Sequence, residues 1–140
     1  GRIFLDERSL WPDGRFVTAN IIARTDYVKS NPETINKLLE LHINETIWIN
    51  YHKDQAIQAF NTGLKKLTGK TIPEDELRQA WSRIEFTYDP IKQSLLKLAN
   101  DAYDLGFLAK GKKQQPDLSG ICDLTLLNNI LKKKGLNTIN

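Results

Sequence analysis

A chain of 140 residues, 40% hydrophobic and 26% charged, suits one globular domain with a core of its own and excludes wholesale disorder. No apolar run approaches the ~20 residues of a membrane-spanning helix, and residues 1–20 lack the basic start and apolar stretch of a signal peptide. The net charge of +3, from 20 basic and 17 acidic residues, is too mild to imply a nucleic-acid partner by itself.

In chain order the sequence opens as extended backbone, with Ile3-Phe4-Leu5 followed by charges and then the turn residues Pro12-Asp13-Gly14. Phe16 to Ala23 is rich in β-branched residues and is the strand candidate; Thr18 and Asn20 fall on one face of it by period-2 alternation. Everything afterwards reads as helix. The first is expected from Asn31-Pro32-Glu33, with Ile35, Leu38, Leu39, His42, Thr46 and Ile49 along one stripe. A second runs from about Asp54 to Gly69 and presents Ala56, Ile57, Phe60, Leu64 and Leu67. A third starts at Pro73, where Glu74, Asp75 and Glu76 complement the positive helix end and bury Leu77, Ala80, Trp81 and Ile84 behind them. After the extended segment Glu85-Phe86-Thr87-Tyr88, a fourth helix follows Asp89-Pro90 with the stripe Ile91, Leu95, Leu98, Ala102, Leu105. Residues 109–117 read as a polar loop. A last helix spans about Leu124 to Lys134, with Leu124, Leu127 and Leu131 inward and Gly135 as its stop.

The chemical motifs are weak. Thr68-Gly69-Lys70-Thr71 imitates the end of a phosphate loop, but residue 64 is Leu where glycine is required, and the segment joins two helices. His42 and His52 stand ten residues apart with no thiol nearby, so no metal site is expected; His42 reads as a core histidine. Cys122, the single cysteine, cannot close an internal disulfide. Asn44-Glu45-Thr46 matches a glycosylation acceptor in the middle of a helix, where chance explains it. The lysines at 110–113 and 132–134 lack interleaved aromatics and read as solvated charge. No catalytic residue and no cofactor is expected, and on residue chemistry alone the chain has no named function.

The strings say more than the chemistry. Asp6-Glu7-Arg8-Ser9-Leu10-Trp11-Pro12-Asp13-Gly14-Arg15-Phe16-Val17-Thr18, Arg24-Thr25-Asp26-Tyr27 with Asn31-Pro32-Glu33, and Trp48-Ile49-Asn50 resemble solute-binding proteins of ABC importers, in the nitrate/sulfonate/taurine group. So do Leu67-Thr68-Gly69-Lys70, Ala80-Trp81-Ser82-Arg83-Ile84-Glu85-Phe86-Thr87-Tyr88-Asp89-Pro90, Ala102 to Leu108 and Pro116 to Asn128, in the same order. The likeness covers nearly the whole chain.

That resemblance implies a mostly α chain with one or two strands (α/β): the C-terminal part of a type II periplasmic-binding-protein fold, about five helices plus a hinge strand. Residues 1–15 would be the tail of the second lobe, 16–24 the hinge strand, and 25–140 the C-terminal helical part of the first lobe. It implies a periplasmic or membrane-anchored extracellular receptor that delivers a small anion to an ABC permease, with an N-terminal lobe outside this chain. An enzyme of the same fold acting on a sulfinate- or pyrimidine-type substrate is the alternative. Anion binding in a closing cleft requires converging N–H and O–H donors, which points to Thr18 and Asn20 on the hinge strand and, at the rim, Phe86 and Thr87. Helices parted from their sheet would expose apolar stripes, so self-association between copies is expected.

Overall fold

The computed structural model describes residues 3–108 and 117–140. It contains six α-helices and, among the described residues, no strand: α1 Thr25–Ser30, α2 Pro32–Tyr51, α3 Lys53–Thr68, α4 Glu74–Trp81, α5 Lys92–Asp104 and α6 Thr125–Lys133. Two short 3-10 turns, Glu7–Leu10 and Pro12–Gly14, precede them. The expected α/β fold with its hinge strand is therefore corrected to an all-α one. Residues 15–24 form neither helix nor strand: the backbone is extended at both ends, at Arg15 and Arg24, bends at Thr18, and joins no ladder among the described residues. Propensity sets local φ/ψ; a strand also needs a ladder partner. Side chains tie the segment across the chain instead: Val17 N–H donates to Ser94 Oγ at 2.9 Å, and Arg15 pairs with Asp89 at 3.6 Å.

The chain divides into two compact units, one made of Gly1–Asn31 with Asp89–Asn140, the other of Pro32–Tyr88. In the second, α2 starts on Pro32, whose fixed φ and missing N–H cost nothing in a first turn. Ile35, Ile43 and Thr46 of α2, Ala56 and Ile57 of α3, and Leu77 of α4 form its core. Gly69 ends α3 with φ 74°, a left-handed conformation glycine adopts without a Cβ penalty, and its N–H bonds Lys65 O at 2.9 Å. The phosphate-loop imitation is thus the C-terminal cap of a helix. Arg78 on α4 bridges Asp54 of α3 at 2.6 Å and Glu74, one turn earlier, at 2.8 Å.

In the first unit, α6 supplies the core with Leu127, Ile130 and Leu131. It closes through Gly135, whose N–H reaches Lys132 O at 3.1 Å while Leu136 N–H reaches Leu131 O at 2.9 Å, the paired bonds of a Schellman cap. Trp11 stacks on Phe16 at 5.5 Å between centroids and carries the Lys97 ammonium 5.2 Å above its ring. Helix α1 has no counterpart in the sequence reading. It is a single local device: Asp26 accepts from Tyr27 N–H at 3.0 Å, and Ser30 Oγ donates to Asp26 O at 2.9 Å. The stripe expected along α5 is only partly covered. Leu98 and Leu105 are exposed, whereas Ser94 is the buried residue of that helix.

Candidate functional site

The described residues of the second unit line a half-open cavity of about 490 Å³, within the size range of small-molecule sites. It lies among α2, α3, α4 and the segment that follows α4. Four aromatic residues line it: Trp48, Phe60, Trp81 and Phe86. Trp81 meets Phe60 edge-on at 6.2 Å and Phe86 at a tilt, 4.9 Å between centroids. The spacing that places Phe60 on the inner face of α3 and Trp81 one turn beyond Leu77 on α4 is the ordinary 3.6-residue period.

Three polar ties hold the walls. Asn50 Nδ2–H donates to Phe86 O at 3.0 Å and fixes the otherwise irregular segment after α4 to α2. Asn61 on α3 clamps Ile72, another lining residue, through both ends of its amide. His52 stacks on the Trp48 ring at 5.4 Å, with its Nδ1 3.0 Å from Trp48 O. A carbonyl only accepts, so Nδ1 carries the proton and the histidine serves as a brace.

Glu45, itself exposed, is the only charged residue among the described lining residues, and no hydrogen bond or ion pair is made to it among the described residues. The cavity therefore offers an almost wholly apolar surface, four of whose lining side chains are aromatic, with Glu45 contributing its hydrocarbon and not its carboxylate. An anion placed there would lose its hydration with no cationic side chain to replace it.

The residues read as anion contacts lie elsewhere or serve otherwise. Thr18 and Asn20 are on residues 15–24 of the first unit, Thr18 at the bend and Asn20 exposed. Phe86 lines the cavity of the second unit; Thr87 follows it, half-buried. His42 is half-buried on α2. No group of His, Cys, Asp and Glu able to hold a metal occurs among the described residues. Cys122 is half-buried in the first unit, and burial pushes its thiol above the ordinary range, with Asp89 adding to the effect and Lys92 opposing it. A raised thiol is the reverse of an activated nucleophile. The lysines at 110–113 fall outside the described residues.

The sequence reading placed Phe60 and Trp81 on apolar helix faces, quoted Trp48 within a matching string, and gave no role to Glu45 or Ile72. Their spacing did carry a signal: Glu45 and Trp48 are three apart on one helix and share a face. No family model, no curated protein and no solved structure matches this chain.

Proposed function

We propose that this chain is part of an extracytoplasmic solute-binding protein that hands a small anion of the sulfonate, taurine or nitrate type to a membrane importer. The reading rests on the ordered series of strings from Asp6 to Asn128, which resemble that group of receptors in the same order. The helices agree with a role as wrapping for further protein. Leu38 and Leu41 of α2 are exposed, and Tyr51 and Leu67 stand 82% and 85% open to solvent. Apolar faces of this extent mark surfaces that another surface covers.

Anion contact falls to Thr18 and Asn20, whose side chains make no hydrogen bond among the described residues and are open on unpaired backbone. The test is calorimetric titration of the whole reading frame holding these residues with ethanesulfonate, taurine and nitrate. Saturable binding of at least one, weakened about tenfold by Thr18→Ala or Asn20→Ala, supports the proposal, since one lost charge-assisted hydrogen bond is worth about that factor. Absence of binding to all three, or turnover of a sulfinate or pyrimidine abolished by Cys122→Ser, overturns it.

A further inference from the structure

We propose that α5 has a second, longer form that begins at Pro90, and that residues 15–17 are a latch holding it in the short form, with Ile91 as the residue that flips between them. This goes beyond the receptor reading and is independent of it, because it concerns other residues and needs no solute.

Helix α5 starts against its own sequence. Ile91 is its N-cap, at φ 50° and ψ 58°, and makes no side-chain cap bond. Left-handed backbone brings Cβ against the carbonyl that follows, and a β-branched residue tolerates this least. Isoleucine is also among the poorest N-cap residues, having no side-chain acceptor. Just upstream stands the pair that local rules prefer. Asp89 is an N-cap type biased toward extended backbone by the proline after it, and Pro90 has the fixed φ of a first helical position. The cap bond of the longer helix is already made: Ile91 N–H donates to Asp89 Oδ1 at 2.8 Å, the contact an N-cap carboxylate makes to the second helical residue.

The N-terminal segment supplies the opposing hold. Arg15 pairs with Asp89 at 3.6 Å, and Val17 N–H donates to Ser94 Oγ at 2.9 Å. Two residues of one short stretch thus grip positions 89 and 94, on either side of Ile91. On a continuous helix those positions would be turned about 140° apart, so one stretch could not face both. Trp11, stacked on Phe16 and carrying the Lys97 ammonium 5.2 Å above its ring, seats the same stretch one turn further along the Ser94 face. A left-handed isoleucine persists only where its surroundings over-determine it, and these ties are the surroundings. Lifting residues 15–17 off α5 therefore lengthens the helix by two residues.

Amide exchange and NMR of the 140-residue chain test this. Gln93 N–H lies in the first turn of α5 with no acceptor among the described residues. In the longer helix it bonds Asp89 O. Arg15→Ala combined with Ser94→Ala removes both ties. It is expected to slow exchange at Gln93 at least fivefold, the lower end of the roughly 5- to 150-fold bias that a strained left-handed residue represents. The strong intraresidue HN–Hα cross-peak that a positive φ gives Ile91 should fade with it. Destabilisation alone moves exchange the other way. Adding Ile91→Gly, which relieves the clash, should restore the parent rate at Gln93. Arg15→Ala alone leaves α5 untouched and should slow Gln93 about twofold; it decides the matter if the double variant does not fold.

Unchanged or faster exchange at Gln93 in these variants, with the Ile91 cross-peak retained, overturns the proposal and makes residues 15–17 a passive brace. Slowing that persists once Ile91→Gly is added overturns it too, because the strain at Ile91 is then not what drives the change.

Discussion

Asn61 holds the backbone of Ile72 as a second peptide would: its Nδ2–H donates to Ile72 O at 2.8 Å and its Oδ1 accepts from Ile72 N–H at 2.9 Å. Asn128 repeats the arrangement on Ile139, also eleven residues on, at 2.9 Å in both directions. In each case a helix ends on a left-handed glycine, Gly69 or Gly135, and the chain turns back along it. The returning segment has no ladder, so the asparagine supplies the missing partner for one N–H and one C=O. Asn61→Ala is expected to cost about 1–2 kcal/mol, two hydrogen bonds discounted for partial exposure. Urea denaturation measures it, and the same variant should loosen the cavity wall at Ile72.

Val17 and Ser94 make a comparable bond in the first unit. Ser94 is 2% exposed, and its hydroxyl accepts the Val17 N–H. Ser94→Ala leaves that amide without its acceptor, a loss of about 1–2 kcal/mol, partly offset by about 0.5 kcal/mol of better helix propensity in α5. A net destabilisation near 1 kcal/mol is expected, with faster hydrogen exchange at Val17 as the local signature.

Leu131 and Leu105 separate what is covered from what is only apolar. Leu131 is 0% exposed and Leu105 72%. Leu131→Ala should cost about 3–4 kcal/mol, removing a buried side chain from between its neighbours, whereas Leu105→Ala should cost less than about 0.5 kcal/mol. Thermal or denaturant unfolding of the two variants side by side tests the difference.

Arg78 holds the Asp54 carboxyl below its usual range, chiefly by the hydrogen bond between them and then by charge attraction. Because the folded value lies below the unfolded one, the stabilisation is complete above the unfolded Asp range near pH 4 and is lost as pH falls through the lower, folded value. Both groups are exposed, so the effect is small and screened by salt. Asp54→Asn should flatten the acid limb of the stability–pH curve, and 0.5 M salt should flatten that of the parent.

Self-association is expected from the open face of α2. Sedimentation of the parent should depend on concentration. Replacing Leu38 and Leu41 by Glu should shift it toward the monomer without loss of helix content, since both are already solvated. A parent that sediments as a monomer at all concentrations contradicts this.

The helices were legible because their signals are local. Pro32 opens α2, Gly69 and Gly135 close α3 and α6, and the acids from Glu74 to Glu76 sit at the start of α4. Local signals also misled. The β-branched run from Phe16 to Ala23 favours an extended backbone, yet a strand is defined by a ladder partner that no residue of the run can supply, and the run bends at Thr18. The α5 stripe was read as apolar, and its exposure at Leu98 and Leu105 was not part of that reading. Periodicity states which residues share a face; it says nothing of what lies against that face.

The candidate cavity was less legible still. Phe86 was named for an anion, but its neighbours across the cavity are Trp81, Phe60 and Trp48, drawn from three helices. The amide clamps at Asn50 and Asn61 join residues 36 and 11 apart, a separation at which asparagine carries no readable signal. Sequence by itself marked where α2 and α4 begin and where α3 and α6 end, because caps, prolines and glycines act on their own backbone within a turn. Tertiary structure alone decided that residues 15–24 join no ladder among the described residues, that Ser94 is buried while Leu105 is not, and that four aromatic side chains line one cavity. Each of those depends on which distant surfaces meet, and burial and electrostatic complementarity exist only once they have.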